Sequence, residues 1–471
     1  MKHPTFCVVG HPNKGKSSIV ASLALDDSVA ISTVPGTTHY KRGYPLRVDG
    51  RVVYELFDTP GFQRARRVLA WLEQHEVSAD KKHEVVQAFV NQHKDDPKFH
   101  DEIELLEPIL EGAGIIYVVD ASKPYSSEYE AEMEILRWCN QPSMALINHI
   151  ENDDFSDDWK RALGHYFKLI RTYNPMQASY KEHINILESM AHLNEEWTQS
   201  VKESIELFET YHQQMIQKSA LYITELLQNS ITMVEKITIN TQEITQEDKE
   251  KLEHNYKQKL RDMEMQTYQK IEQVWNYQHL QKEHFMLPFE DVDLFSQEAA
   301  SIFGLTKKEL LVSATTSGAL TGAGIDFMFA GHTAFLGAVI GGVVGATGAF
   351  FGFDELSEVK LLGKKLGQHA LEMGPMKNRN FPYILLGRAI FYTQKLIERS
   401  HAKRDILALH IESDFKEKLF DEKLQKELEK YHKKLRKRKT LTLEEKTHYQ
   451  ELIEKLLKRS SNSNPTVDTL T

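Results

Sequence analysis

The sequence predicts an α/β domain, a mostly parallel sheet with covering helices, followed by an all-α domain that carries a Gly-rich apolar helical hairpin. Three observations lead there. Short apolar or β-branched runs at 5–10, 52–57, 114–120, 144–150 and 167–173 alternate with polar, helix-prone sequence, as parallel strands joined by crossover helices do. From 180 to 280 the chain is rich in Glu, Gln, Lys and Leu, and Trp197, Val201, Ile205 and Phe208 recur at helical spacing, the stripe of an ordinary helix–helix seam. Residues 310–353 then lose almost all charge: Asp326 is the only acid in 310–330, and 333–353 carries none.

Composition bounds the classes. A chain of 471 residues supports two or three domains, and 41% hydrophobic with 27% charged residues fits neither global disorder nor a polytopic membrane protein. The net charge of -10 argues against non-specific DNA binding and leaves RNA open. Only Cys7 and Cys139 are present, without metal-ligand spacing, and the polar opening lacks the form of a secretory signal. The expected compartment is the cytoplasm, with a peripheral place at the inner membrane if the apolar segment meets lipid.

The expected division is a first domain over 1–192, a helical domain over 193–459 and a disordered tail over 460–471. Within 310–353, Gly337, Gly341, Gly345, Gly348 and Gly352 stand at four- and three-residue steps, which lets helix backbones approach closely. Two surroundings are open for that hairpin, a buried place in the helical domain or reversible contact with a bilayer whose core is about 30 Å thick. A cationic block over 433–439 is a solvated helix end or a second contact for anionic lipid or RNA. Thr442 with Glu445 reads as a capping box that opens a last helix. Residues 62–113 are long for a connection and read as a helical insertion, either a carrier of partner contacts or a solvated excursion.

The chemistry is concentrated early. Gly10-His11-Pro12-Asn13-Lys14-Gly15-Lys16-Ser17 is a full G-x-x-x-x-G-K-S between an apolar strand and the helical stretch from Ser18. Such a loop wraps phosphates in backbone N–H groups, brings a lysine to the β and γ oxygens and a hydroxyl to magnesium. Asn13, Lys14, Gly15, Lys16, Ser17 and Ser18 are therefore assigned to the nucleotide. Asp58-Thr59-Pro60-Gly61 closes a second strand, placing Asp58 for magnesium and the Gly61 N–H for the γ-phosphate. Between them, Pro35-Gly36-Thr37-Thr38 offers Thr38 as a further magnesium ligand. The expected metal set is Ser17, Thr38 and Asp58, and the expected catalytic set Lys16, Thr38 and Gly61.

Pro12-Asn13, Gly36-Thr37-Thr38 and Asp58-Thr59-Pro60-Gly61 together resemble the TrmE/Era-like P-loop GTPases over 1–192. The resemblance implies GTP and GDP as ligands, magnesium as cofactor and Thr38 as the switch threonine. In potassium-activated members the asparagine that matches Asn13 helps hold a monovalent cation, which makes potassium a second candidate. Two departures stand out. Phe62 follows Gly61 where many small GTPases carry a glutamine, so slow hydrolysis is expected. Guanine recognition should read N-K-x-D; here Asn148 fits and Glu151 supplies a longer carboxylate. The Gly-rich hairpin, Met373-Gly374-Pro375, the run from Asn380 to Ala389 that includes Arg388, and His401-Ala402-Lys403-Arg404 are similar to bacterial proteins that fuse such a GTPase to a helical domain of unknown function. Buried or capping roles are expected of Arg388 and His401.

The leading reading is a nucleotide switch that hydrolyses GTP and acts on its helical domain. Competing with it are a membrane-remodelling protein whose assembly, including self-association, is controlled by nucleotide, and an ATP-binding scaffold with little turnover.

Overall fold

The computed structural model describes residues 3–26, 28–29, 40–48, 50–239, 244–277, 280, 294–295, 303, 357–363, 369–403 and 419–460. The loop carrying Thr38, the hairpin 310–353 and the tail after Ser460 lie outside the described residues. The chain divides into two units: one of Met1–Met215, Trp275–Gln281 and Ile397–Ile406, the other of Ile216–Val274, Lys282–Leu396 and Leu407–Thr471.

In the first unit a six-stranded sheet runs in the order β2-β3-β1-β4-β5-β6. Its strands are β1 Thr5–Val9, β2 Arg42–Val48, β3 Arg51–Asp58, β4 Gly114–Asp120, β5 Ser143–Asn148 and β6 Ile170–Thr172. All pairings are parallel except β2 with β3. Alternation splits β1 between two cores: Phe6 and Val8 pack with Leu56, Ile116 and Leu146, while Cys7 and Val9 pack with Ile115, Tyr117 and Ile147. Covering both faces is why these strands read as unbroken apolar runs. Strand β2 escaped the sequence reading because its Arg-Gly-Tyr-Pro-Leu-Arg-Val carries polar residues and a proline, features an edge strand tolerates and a central strand does not.

Helix α1 (Lys16–Ala24) follows β1, and α2 (Ala65–Leu72), α3 (Lys82–His93) and α4 (His100–Leu110) fill the insertion after β3. The insertion is not a solvated excursion. Val68, Leu72, Val86, Phe89, Leu106 and Ile109 are buried in the cluster that covers the Cys7 and Val9 face. Helices α5 (Glu130–Trp138), α6 (Ser156–Leu163) and α7 (Tyr180–Ala191) follow. The long α8 (Glu195–Thr232) belongs to this unit through Met215. Its stripe packs on the sheet: Trp197 meets Phe6 edge-on at 5.1 Å, and Phe208 stacks on Tyr180 at 5.2 Å. His401 is buried here, with Nε2 2.9 Å from the Trp275 carbonyl and its ring stacked on Tyr277.

The second unit is mainly helical, with α9 (Gln246–Val274), α10 (Phe381–Glu398), α11 (Glu422–Arg436) and α12 (Leu443–Ser460) beside the end of α8. It is not all-α. An antiparallel sheet, β7 (Glu235–Ile239), β9 (His369–Met376) and β8 (Ser357–Gly363), lies among the helices. Strand β7 pairs residues more than a hundred positions away, such as Ile237 with Leu371, so no local pattern announces it, whereas β8 and β9 are close in the chain, with Gly363 opposite His369. Arg388 is fully buried, its Nε donating to Glu264 Oε1 at 2.7 Å; the same oxygen accepts from the Tyr268 hydroxyl at 2.8 Å. Among the described residues no helix is long and apolar enough to cross a membrane.

Candidate nucleotide-binding site

Parallel register brings the carboxyl ends of β1, β3, β4 and β5 to one edge. Val8 aligns with Asp58, Val9 with Tyr117, and Asp120 with Asn148. In open α/β sheets this edge is where ligands bind. The loop Gly10–Gly15 leaves β1 there and turns into α1, with Asn13 (φ 61°) and Gly15 (φ 84°) in the left-handed region. A side chain at 15 would be strained and would strike the Asn148 amide nitrogen, since an added Cβ falls 2.4 Å from Nδ2.

Lys16 is buried at the start of α1, and its Nζ donates to the His11 carbonyl at 3.0 Å, so the ammonium folds back across the loop. Burial pulls it below the ordinary lysine value, while the Asp58 and Glu132 carboxylates pull it back up. Ser17 Oγ donates to Asp58 Oδ2 at 2.9 Å, which joins the hydroxyl and the carboxylate that the sequence assigned to one metal. Both are hard oxygen donors, the type magnesium takes. The Thr59 hydroxyl donates to the Val8 carbonyl at 2.9 Å and fixes the turn after Asp58. Gly61 presses on the loop so closely that a Cβ there would fall 2.6 Å from the Pro12 nitrogen. Phe62 points away into the core, 1% exposed, which leaves that position unable to orient water.

At β5, Asn148 is buried, and its Nδ2 donates to the Lys14 carbonyl at 3.2 Å, tying the end of β5 to the loop Gly10–Gly15. Lys14 Nζ lies 3.9 Å from Asp120 and over the Tyr129 ring. Glu151 is not gathered with them: it is exposed and holds Lys123 at 2.5 Å. His149, at the usual lysine position, has its Nε2 within 3.1 Å of Asp154 and 2.9 Å of Ser156, bracing the following loop. Ser18 is buried in α1.

Two features went unread in the sequence. Glu132 on α5, 2% exposed, holds His11 Nδ1 at 2.7 Å and accepts from the Tyr117 hydroxyl at 2.9 Å, steadying the loop from below. Helix α4 grips the chain beside both switch motifs. Glu102 Oε1 accepts the backbone N–H of Gln63 at 2.9 Å and of Arg64 at 2.5 Å. Glu104 accepts the Lys41 N–H, and Glu107 its Nζ, both at 2.8 Å. The partners are between 15 and 121 residues apart and follow no motif spacing.

Comparison with known proteins agrees with this geometry. Residues 5–149 match the family described as 50S ribosome-binding GTPase, and residues 160–458 match the domain of unknown function DUF3482. GTPase Der of Aromatoleum aromaticum is 28% identical over 160 residues, which are 34% of this chain and 30% of that protein. GTPase Der of Desulforudis audaxviator is 41% identical over 77 residues, 16% of this chain and 17% of that protein. The chain thus spans less than a third of the length of either relative. A crystal structure of Aquifex aeolicus Era bound to GDP and AlF4- superposes with a TM-score of 0.28 and 13% identity, covering 58% of this chain and 90% of that one. With its P-loop GTPase domain at the N-terminus and most of its length matched beyond it, the chain belongs to the DUF3482 family.

Proposed function

We propose that the chain binds GTP with magnesium through residues 10–18, 58–61 and 148–151, hydrolyses it slowly, and uses the nucleotide state as a switch on its helical region. The observation that carries this reading is the Ser17–Asp58 contact of 2.9 Å beside a buried Lys16 that, among the described residues, has no carboxylate in hydrogen-bond contact. When bound, magnesium neutralises charge on the β and γ oxygens. The chain's own groups do the remaining work. Lys16 would exchange the His11 carbonyl for phosphate oxygens, the loop N–H groups and that of Gly61 would face the anion, and Ser17, Asp58 and Thr38 would hold the metal. Asn148 keeps the loop in register with the base, and Glu151 reaches the guanine edge by releasing Lys123.

Phe62 leaves no side chain from that position to position the attacking water. A monovalent cation held near Asn13 supplies the positive charge that an arginine finger supplies elsewhere. Single-turnover hydrolysis in potassium and in sodium at matched ionic strength, with GTP and with ATP, tests the proposal. GTP should turn over faster than ATP, faster in potassium, and Asn13→Ala should remove the salt difference. Lys16→Ala should abolish binding in a folded chain. Tight GTP binding by that variant would overturn the site, and equal rates in the two salts would overturn the cation.

A further inference from the structure

The second unit holds a cleft of about 400 Å³ between the end of α8, the start of β7 and the α11–α12 turn. Three cations line it, Arg438, Lys439 and Lys446, and no carboxylate does. Asn229 and Thr440 add an amide and a hydroxyl, and Leu435 and Leu441 give it an apolar wall. The volume is that of a small-ligand pocket.

Among the described residues, two of the three charges have no acid beside them. Within the cationic block Lys434 pairs with Glu445, and Arg436 with Glu429. Arg438 reaches Glu372 at 2.8 Å from one side. Among the described residues no acid pairs with Lys439 or Lys446, although this is an acidic protein of net charge -10. Like charges facing one concave wall raise one another's energy, and an anion placed among them removes that cost.

The backbone supports the same assignment. Helix α11 ends with the Lys439 N–H bonded to the Lys434 carbonyl and the Arg438 N–H to the Leu435 carbonyl, the paired bonds of a Schellman turn. In that turn the left-handed residue is usually glycine; here it is Arg438, at φ 55°. A non-glycine residue is costly to hold there. The turn accepts that cost and sets a guanidinium, the side chain whose fork matches phosphate, at the cleft.

We propose that this cleft binds a phosphate monoester carried on a small polar body of sugar or nucleotide size. Arg438, Lys439 and Lys446 hold the phosphate, while Asn229 and Thr440 face the body.

The cleft belongs to the second unit and the nucleotide site to the first, and the experiment keeps them apart. The full chain, loaded with one equivalent of GDP and magnesium, is titrated calorimetrically with inorganic phosphate, glycerol 3-phosphate, adenosine 5′-monophosphate and phosphate-free adenosine. A monoester should bind, adenosine should not, and Lys439→Gln/Lys446→Gln should weaken monoester binding at least tenfold. The charge-reversed Lys439→Glu/Lys446→Glu should abolish it; because both lysines are exposed, each variant should melt as the wild type does. Equal monoester affinity in wild type and variants would overturn the site, as would adenosine binding as well as its monophosphate. If no soluble ester binds but phosphatidylglycerol vesicles or a single-stranded RNA bind in a Lys439- and Lys446-dependent way, the small-ligand reading is wrong and the cleft belongs to a surface that meets a polyanion.

Discussion

Replacing Glu102 separates what its charge does from what its oxygen does. The carboxylate is fully buried on α4, and its Oε1 takes the N–H groups of Gln63 and Arg64 at the entry to α2. Its Oε2 is buried with no hydrogen-bond partner among the described residues. Glu102→Ala removes a helix-capping acceptor. Because Gln63 and Arg64 are themselves exposed, water can replace part of it, so a cap-like cost of about 1–2 kcal/mol is expected. For a unit of this size that lowers Tm by roughly 2–8 °C.

Glu102→Gln keeps an acceptor and discards the charge, so its cost should stay within about 1 kcal/mol. The pH dependence fixes the sign. Burial raises the Glu102 carboxyl above the ordinary glutamate value, against the pull of the Arg64 and Gln63 N–H groups. Between the unfolded and the folded pKa the folded chain therefore holds a proton that the unfolded chain has released. The contribution of the group is complete below the unfolded pKa and is lost as pH rises through the folded one. Glutamine has no such loss, so Tm of Glu102→Gln relative to wild type should climb across that window and then level. Thermal melts from pH 4 to pH 8, together with hydrogen exchange at the 63 and 64 amides, measure both effects. An alanine variant that melts with the wild type and protects those amides would refute the capping argument. A Gln–wild-type difference flat in pH would refute the charge argument.

Phe62→Gln puts the residue type of many small GTPases after Gly61, but into a core position 1% exposed. It should destabilise the first unit by about 3 kcal/mol or more without raising single-turnover hydrolysis, and faster hydrolysis would show that the position can face the nucleotide. Arg388→Met should cost the second unit about 3–5 kcal/mol in urea unfolding, because it strands the buried Glu264 carboxylate, whereas Arg388→Met with Glu264→Leu should recover most of that; no recovery would mean that packing around Arg388, and not its charge, is the source.

What the sequence made legible follows from how local each signal is. The phosphate loop, Asp58 and Asn148 sit at strand ends, where a run of apolar residues stops at a polar one, so their convergence at the carboxyl edge follows from parallel topology alone. Glu151 was found by its offset from Asn148, and offset does not say which way a side chain on a loop turns; here it turns to Lys123. In the second unit β7 was hidden because its pairing partners, such as Glu372 opposite Lys236, are distant in the chain, and the β8–β9 pair because its strands carry no clean apolar–polar alternation. Strand β2 was hidden because an edge strand need not be apolar. Glu132 and Glu102 looked like ordinary helix-surface acids, and only the fold turns them inward under the loop and the α2 entry.

Helix α4 gives the site an asymmetry that the motifs do not suggest. Its Glu104 and Glu107 hold Lys41, where the chain emerges from the Thr38 loop, and its Glu102 holds the chain just after Gly61. On the proposed switch, movement of either loop on loss of the γ-phosphate would have to strain α4 or break these bonds. The Lys41–Glu107 pair is partly exposed, with side chains 28% and 23% accessible, and pairs of that kind contribute about 1 kcal/mol at most. The Glu102 bonds are buried at the carboxylate and carry charge-assisted strength. Release should therefore begin at Lys41, and Lys41→Ala should lower Tm by less than Glu102→Ala while the Lys41 backbone N–H keeps its bond to Glu104. A Lys41→Ala variant as destabilised as Glu102→Ala in parallel melts would show that the exposed clasp, and not the buried one, holds α4 to the site.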